Sequence, residues 1–265
     1  MAALRAATVG VSLCEAETSV AAPITSRLQT PGSVIDVIVE GRCSLITAYV
    51  LVSFNIMYGT VQLFNTIMMY NYGLNLGDNT YLIQDLFYTL ILGLAISITP
   101  PADTLAKELP PQRFFTKYIT FKLFSQLICF PLFQLIALRA LAQEEWYNKY
   151  DVGDDPLSET YAYETSVIAS MGLAQLMISS VAATIDEPFR QPWYKNMYHM
   201  ASLLCQAAFL AYQIFGRTSY FMRHVIECRP LPYGFCGKLV LIIACNVVVS
   251  GLLSKFADYL KKHFS

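Results

Sequence analysis

The chain has 265 residues, of which 55% are apolar and only 14% are charged, whereas an ordinary soluble domain carries about 25% charged residues. This composition and the mean hydropathy of +0.45 exclude a typical soluble protein and indicate an integral membrane protein surrounded by a lipid bilayer. The net charge of −1 and the lack of a basic patch with interleaved aromatic residues exclude a nucleic-acid partner.

Six stretches are long and apolar enough to cross a bilayer, which takes about 20 residues of helix. They lie at about 45–69, 80–99, 118–140, 164–183, 198–216 and 237–257. We therefore predict an all-α membrane protein whose transmembrane domain, 45–265, is a bundle of six helices. The loop 70–79 is short and rich in Gly and Asn, so the first two helices are predicted to form a tight hairpin.

The distribution of Lys and Arg predicts the orientation, because cytosolic connections are enriched in these residues. One predicted side of the membrane carries eleven basic residues and the other carries five. The richer side holds residues 1–44, 100–117, 184–196 and the tail from 255. The poorer side holds 70–79, 141–163 and 217–238. Both termini are therefore expected in the cytosol.

Two polar stripes run along the first two helices. Each consists of four residues spaced three, four and three apart, which places them on one helical face. The stripes are Asn55, Tyr58, Gln62 and Asn65 in the first helix, and Asp78, Tyr81, Asp85 and Tyr88 in the second. Because the hairpin makes the two helices neighbours, the stripes are predicted to line one cavity.

The residue types in these stripes suit an organic cation. An ionisable group such as Asp85 costs about 3 kcal/mol or more at mid-bilayer depth, so it rarely faces lipid. Carboxylates neutralise ammonium groups and tyrosine rings attract cations. Asp78 and Asp85 lie about 10 Å apart along a helix, which suits two amines joined by a methylene chain. The predicted substrate-binding residues are Tyr58, Gln62, Asp78 and Asp85, with Asn55, Tyr81 and Tyr88 as secondary candidates.

The same residues allow a plainer interpretation. Amides and tyrosine hydroxyls also join membrane helices by hydrogen bonds, and Asp78 could cap its helix at the membrane edge. No catalytic residue is predicted, since the sequence lacks GxxxxGK[ST], GxSxG and HExxH. No metal ligand is predicted either, because the three histidines lie far apart in the chain.

Seven short segments, in order along nearly the whole chain, resemble one known family. The first two are "ALRAATVGVSLCEAETSVAAPITS" (3–26) and "VIVEGRCSLITAY" (37–49). The others are "MYGTVQLF" (57–64), "LGDNTYLIQDL" (76–86), "EEWY" (144–147), "YETSVI" (163–168) and "EPFRQPWYKN" (187–196). The first two look like the end of the phosphorylation domain of a type V P-type ATPase and its entry into the fifth membrane helix. The others resemble group B of that type, the polyamine-transporting pumps of endolysosomal and vacuolar membranes.

This resemblance implies that the six helices are the family's helices five to ten. Residues 1–44 would then be a cytosolic remnant of the phosphorylation domain with its linker. The family's substrate-lining positions fall on Tyr58, Gln62, Asp78 and Asp85. A complete pump would use ATP and Mg to carry a polyamine or another cation across an endolysosomal or vacuolar membrane.

The chain departs from the family by what it lacks. The motifs DKTGT, TGES and GDGxND are absent, and so are the family's first four membrane helices. The chain alone is therefore expected to hold no cofactor and to be inactive, with the missing N-terminal portion of a pump as its partner. Three functions stay open: the membrane part of a polyamine pump, the same part of an inorganic-cation pump, or a stand-alone six-helix carrier, channel or interaction protein without ATPase activity.

Overall fold

The structure is a computed structural model that describes residues 6–12, 24–26, 32–150, 160–216 and 220–264. Its helices are α1 (Ser33–Tyr72), α2 (Asp78–Ser97), α3 (Lys117–Ala142), α4 (Tyr163–Ala182), α5 (Met197–Phe215), α6 (Tyr220–His224) and α7 (Tyr233–Phe264). Two short parallel strands, β1 (Val11–Ser12) and β2 (Ile24–Thr25), precede them. The predicted all-α class is therefore confirmed. Much of the predicted phosphorylation-domain remnant, at 1–5, 13–23 and 27–31, lies outside the described residues.

Five of the described helices are long and apolar enough to cross a membrane, namely α1, α2, α3, α4 and most of α7. The predicted span 198–216 does form a helix, α5, but this helix is not among the five. Its apolar run is interrupted by His199, Gln206 and Gln213, all buried inside the bundle. The predicted count of six spans is thus approximate, because α5 turns polar groups toward its neighbours.

Helix α1 is much longer than the predicted span 45–69. Its 40 residues correspond to about 60 Å, twice the thickness of the bilayer core. Its first turns extend beyond the apolar segment, and the third turn contacts the connection between α2 and α3. There Arg42 Nη1 donates to the backbone oxygens of Ala106 at 2.7 Å and Glu108 at 3.0 Å. The helix therefore extends well before the apolar run, and Arg42 joins this extension to the connection between α2 and α3.

The predicted hairpin between α1 and α2 is present. Helix α1 ends at Gly73, whose φ of 68° is the left-handed conformation that glycine adopts easily. The amide of Gly73 donates to Tyr70 O at 3.1 Å, and that of Leu74 donates to Met69 O at 3.0 Å. These bonds satisfy the last carbonyls of α1 and reverse the chain, so that α2 starts at Asp78.

Helix α4 is the centre of the bundle. In its most apolar window 83% of the residues are buried inside the protein, against 28% for α1 and 22% for α7. Helix α1 packs along α4, and α3 packs between α4 and α7. Because α4 has protein on nearly every side, the faces open to lipid or to further protein belong to the outer helices.

The connections gather on two faces of the bundle. The basic face, 32–44, 100–117, 183–196 and 255–264, is joined by bonds such as Gln191 Nε2 to Asp103 Oδ1 at 3.1 Å. The described part of the opposite face, 73–77, 143–150, 160–162 and 220–238, is joined by the ion pair of Lys238 with Glu144 at 2.6 Å. The hydrogen bond from Lys238 also lowers the pKa of Glu144. This grouping matches the two sides predicted from the sequence, while the cytosolic placement of the basic face stays a prediction.

Candidate cation site

Asp85 lies in an unusual part of α2. Residues Ile83–Leu90 form a π-helix between two α-helical segments, and π segments often occur at functional sites. The buried line of α2 runs through every fourth residue, Thr80, Gln84, Tyr88 and Leu92. Asp85 is half-buried beside this line, on the flank that faces α1.

Two donors from α1 hold the carboxylate of Asp85. Tyr58 Oη donates to Asp85 Oδ1 at 2.7 Å, and Gln62 Nε2 donates to the same oxygen at 3.2 Å. Tyr58 and Gln62 are four residues apart, so they share one face of α1. The structure therefore brings together three of the four residues predicted to bind a cation.

The fourth predicted residue, Asp78, lies apart from this cluster. It is the first residue of α2, follows Gly77 at the helix start, and is exposed on the opposite face. Its carboxylate is at the positive end of the helix, which stabilises a negative charge. Seven residues of helix separate it from Asp85, or about 10 Å. The two carboxylates therefore lie one after the other along α2 and do not share one pocket.

The secondary candidates occupy three different environments. Asn55 is exposed on the outer surface of α1, and Tyr81 is half-buried on α2. Tyr88 is fully buried, and its hydroxyl donates to Gln206 O of α5 at 2.9 Å. Asn65, the last member of the α1 stripe, is buried against Gly172 of α4. Of these residues, Tyr81 and Tyr88 lie on the same helix as Asp85, while Asn55 faces away.

Two residues that the sequence stripes left out contact or belong to the π segment that carries Asp85. Gln206 Nε2 donates to Phe87 O at 2.7 Å and reaches Tyr88 O at 3.4 Å. It thereby binds the backbone of the π segment from α5. Gln84 is 2% exposed, directly before Asp85. Its position on the buried line follows the four-residue spacing from Thr80, a signal available in the sequence.

Two buried polar atoms in or beside the site lack partners among the described residues. Within the part of the chain that the structure describes, neither Gln62 Oε1 nor Gln84 Nε2 has a hydrogen-bond partner, although both atoms are buried. Buried polar atoms are nearly always paired, because leaving one unpaired costs about 1–3 kcal/mol. Gln62 Oε1 is an acceptor next to the carboxylate, so the cluster presents more acceptor capacity than the protein itself uses.

No described basic residue forms an ion pair with Asp85. Among the described residues, the salt bridges join Lys122 to Asp258 and Lys238 to Glu144, and none reaches Asp85. Tyr58 and Gln62 stabilise the carboxylate with neutral dipoles only. A half-buried anion in a membrane helix without a countercharge is an arrangement that attracts a cation.

Comparison with known proteins places the chain in a family. No protein-family model matches it. It is 27% identical over 277 residues to polyamine-transporting ATPase 13A3 of Homo sapiens, with 97% of this chain and 22% of that protein covered. It is 33% identical over 204 residues to polyamine-transporting ATPase 13A2 of Mus musculus, with 76% and 17% covered.

A third relative is the vacuolar cation-transporting ATPase YPK9 of Saccharomyces cerevisiae, 26% identical over 244 residues, with 92% of this chain and 16% of that protein covered. The chain thus spans about a fifth of the length of these relatives. The match extends over nearly all of the chain and corresponds to a C-terminal segment of the relatives. The chain belongs to the type V P-type ATPases.

Proposed function

We propose that this chain is the membrane part of an ATP-driven pump that carries an organic polyamine cation, and that it contributes half of the substrate pathway. In this pathway Asp85 binds one ammonium group of the cargo, and Tyr58 and Gln62 orient its carboxylate. The observation that carries the proposal is the geometry of Asp85. Two neutral donors bind one oxygen of its carboxylate, and no described basic side chain forms an ion pair with it. The names of the relatives, polyamine-transporting ATPase 13A2 and 13A3, support the same cargo.

The donor set favours an ammonium group over a small metal ion. A hard cation such as Mg²⁺ or Ca²⁺ takes six or more oxygens that converge on one point. The cluster offers one carboxylate, one phenol and one amide, and no described group of three His, Cys, Asp or Glu side chains converges. An ammonium group donates three hydrogen bonds, which Asp85 Oδ2, Gln62 Oε1 and a tyrosine ring can accept in turn.

Asp78 is the proposed second contact for a long cation. It lies about 10 Å from Asp85 along α2 and is exposed on the opposite face, the predicted luminal side. A linear polyamine with amines separated by methylene groups can reach both carboxylates. The cargo would then lie along α2, with one end inside the bundle and the other at its mouth.

The energy source lies outside this chain. The sequence lacks the phosphorylated aspartate motif and the magnesium hinge of the family, so its own residues do not fit a nucleotide with Mg. ATP hydrolysis belongs to the cytosolic domains of a complete pump, with the termini of this chain in the cytosol and the bundle in an endolysosomal or vacuolar membrane. What this chain contributes is its half of the cation pathway, in α1 and α2.

The decisive experiment uses the complete pump that carries this sequence. Asp85→Asn should abolish ATPase stimulation by spermidine and spermine while leaving expression unchanged. Asp36→Asn is the matched control, because it makes the same chemical change at an exposed position of the basic face. Normal stimulation in the Asp85→Asn pump would overturn the assignment.

Two rival functions are separated by further measurements. Stimulation by divalent metal ions but not by polyamines would assign the pathway to an inorganic cation. A stand-alone membrane carrier or channel would be favoured if the genomic DNA upstream of Met1 holds no in-frame DKTGT and GDGxND and if the purified chain conducts ions in liposomes.

A further inference from the structure

A groove of about 650 Å³ opens on the basic face, well away from Asp85. Its walls come from the first turn of α3, the last turn of α7 and the connections that precede α3 and α5. Leu109, Phe189 and Leu260 give the groove a mostly apolar lining. Leu109 is 73% exposed, so an apolar surface is left open to a ligand. This volume is typical of ligand-binding sites.

Two lysines make the groove positive. Lys117 and Lys261 both line it, and Lys261 Nζ lies 5.5 Å from the Tyr118 ring and 5.9 Å from the Phe189 ring. Lys261 Nζ donates one hydrogen bond, to Glu187 O at 3.3 Å. An ammonium group has three donors, so Lys261 keeps capacity for an anionic ligand. The acidic residue of the lining, Glu108, is exposed.

Two buried hydroxyls on the groove wall point to a ligand independently of the lysines. Thr116 Oγ1 and Tyr118 Oη are buried, and neither has a hydrogen-bond partner among the residues that the structure describes. Both residues line the groove and flank Lys117 in the sequence. Unpaired buried hydroxyls are rare in proteins. A phosphate group placed between the lysines would supply acceptors for them.

The groove also lies at a defined depth in the membrane. Lys117 is the first residue of one membrane-spanning segment, and Lys261 is the last residue of another. The groove is therefore at the boundary between the hydrocarbon and the aqueous phase. Basic pockets between transmembrane helices on the cytoplasmic side bind anionic lipid headgroups, and the basic face is the predicted cytosolic side.

We propose that this groove binds an anionic phospholipid from the leaflet on the basic face. Its phosphate lies between Lys117 and Lys261 and accepts hydrogen bonds from Thr116 and Tyr118. Its acyl chains cover the apolar wall that includes Leu260. This site is separate from the cation pathway, so its test does not depend on pump activity.

The test is native mass spectrometry of the full 265-residue chain in detergent, with equal amounts of phosphatidylglycerol and phosphatidylcholine. We expect the chain to retain one phosphatidylglycerol in preference. Each lysine near a membrane surface contributes about fivefold to the affinity for an anionic lipid. The double variant Lys117→Ala and Lys261→Ala should therefore lose the preference by about 25-fold.

The matched control removes Lys107 and Lys195, two exposed cations of the basic face that do not line the groove. This control should keep the preference. Tyr118→Phe tests the hydroxyl without removing charge or ring and should weaken retention several-fold, even if the double variant fails to fold.

Three results would overturn the proposal. One is equal retention of the two lipids by the unaltered chain. Another is an equal loss of the lipid preference in the control that removes Lys107 and Lys195, which would show that the preference comes from the overall positive charge of the basic face and not from the groove. The third is a chain that retains neither lipid and forms a dimer, which would assign the groove to a second copy.

Discussion

Tyr58 Oη donates a hydrogen bond to Asp85 Oδ1 across 2.7 Å, and this contact joins α1 to the π segment of α2. The second donor, Gln62, reaches the same oxygen from the next turn of α1. Asp85 is therefore oriented by neutral groups that leave its charge available. Single substitutions should therefore separate residues that act on the cation from residues that only hold the bundle together.

Tyr58→Phe should weaken polyamine binding without removing the charge at the site. A hydrogen bond to a charged group is worth about 1.5–3 kcal/mol, so we expect the half-maximal polyamine concentration for ATPase stimulation in the complete pump to rise at least tenfold, about 1.4 kcal/mol. Maximal stimulation should persist. The control is Tyr70→Phe, whose side chain is 78% exposed. An unchanged half-maximal concentration would show that Tyr58 does not orient the carboxylate.

Tyr88→Phe should act on stability instead of cargo affinity. The hydroxyl of Tyr88 donates to Gln206 O at 2.9 Å and is fully buried. Losing one interhelical hydrogen bond in a membrane protein costs about 1 kcal/mol, which should lower the melting temperature in detergent. If the melting temperature stays constant and polyamine affinity falls, Tyr88 belongs to the cation site after all.

Gly172→Ala should destabilise the contact between α1 and α4. A β-carbon at Gly172 would overlap the amide of Asn65, and overpacking of this kind costs about 1–3 kcal/mol. Gly59→Ala is the control, because a β-carbon there meets nothing within 4 Å and alanine favours helix. Thermal unfolding in detergent compares the two variants. Equal stability would mean that α1 and α4 separate more easily than their packing indicates.

Cys228 should resist alkylation in the folded chain. Burial raises the pKa of this thiol to about 12, so at pH 8 only about one molecule in 10⁴ carries the reactive thiolate. Maleimide treatment followed by peptide mass spectrometry should find Cys228 unmodified until the chain is unfolded. The variant Arg229→Cys is the control: position 229 is exposed and directly follows Cys228, so a thiol placed there should react readily with maleimide. Rapid labelling of Cys228 would show that the connection before α7 opens.

The spacing of polar residues predicted the central contact of the site because α1 is a regular α-helix. With a period of 3.6 residues, Tyr58 and Gln62 necessarily share a face, and the short Gly-containing turn at 73–77 brings α2 alongside. The Asp85 contact required only these two facts. The position of Asn55 did not follow, since three residues before Tyr58 the helix has turned far enough to expose it.

The π segment was not predictable from the stripes. The stripes assume one α-helical period, whereas Ile83–Leu90 follow a different hydrogen-bond register. Gln206, more than a hundred residues later, binds the backbone oxygen of Phe87 within this segment. The four-residue spacing of Thr80, Gln84, Tyr88 and Leu92 indicates which residues of α2 are buried, whereas the stripes contain no marker of the π register.

The π segment also sets the rotation between the two halves of α2. Each of its hydrogen bonds encloses one residue more than an α-helical bond. One residue corresponds to about 100° of rotation in an α-helix. Conversion of Ile83–Leu90 to regular α-helix would therefore turn Asp78 by about 100° around the axis relative to Leu92, while the backbone groups stay hydrogen-bonded within the helix. The direction in which Asp78 and the mouth of the proposed pathway point is therefore governed by hydrogen-bond register, and any molecule that binds one register more tightly reorients them.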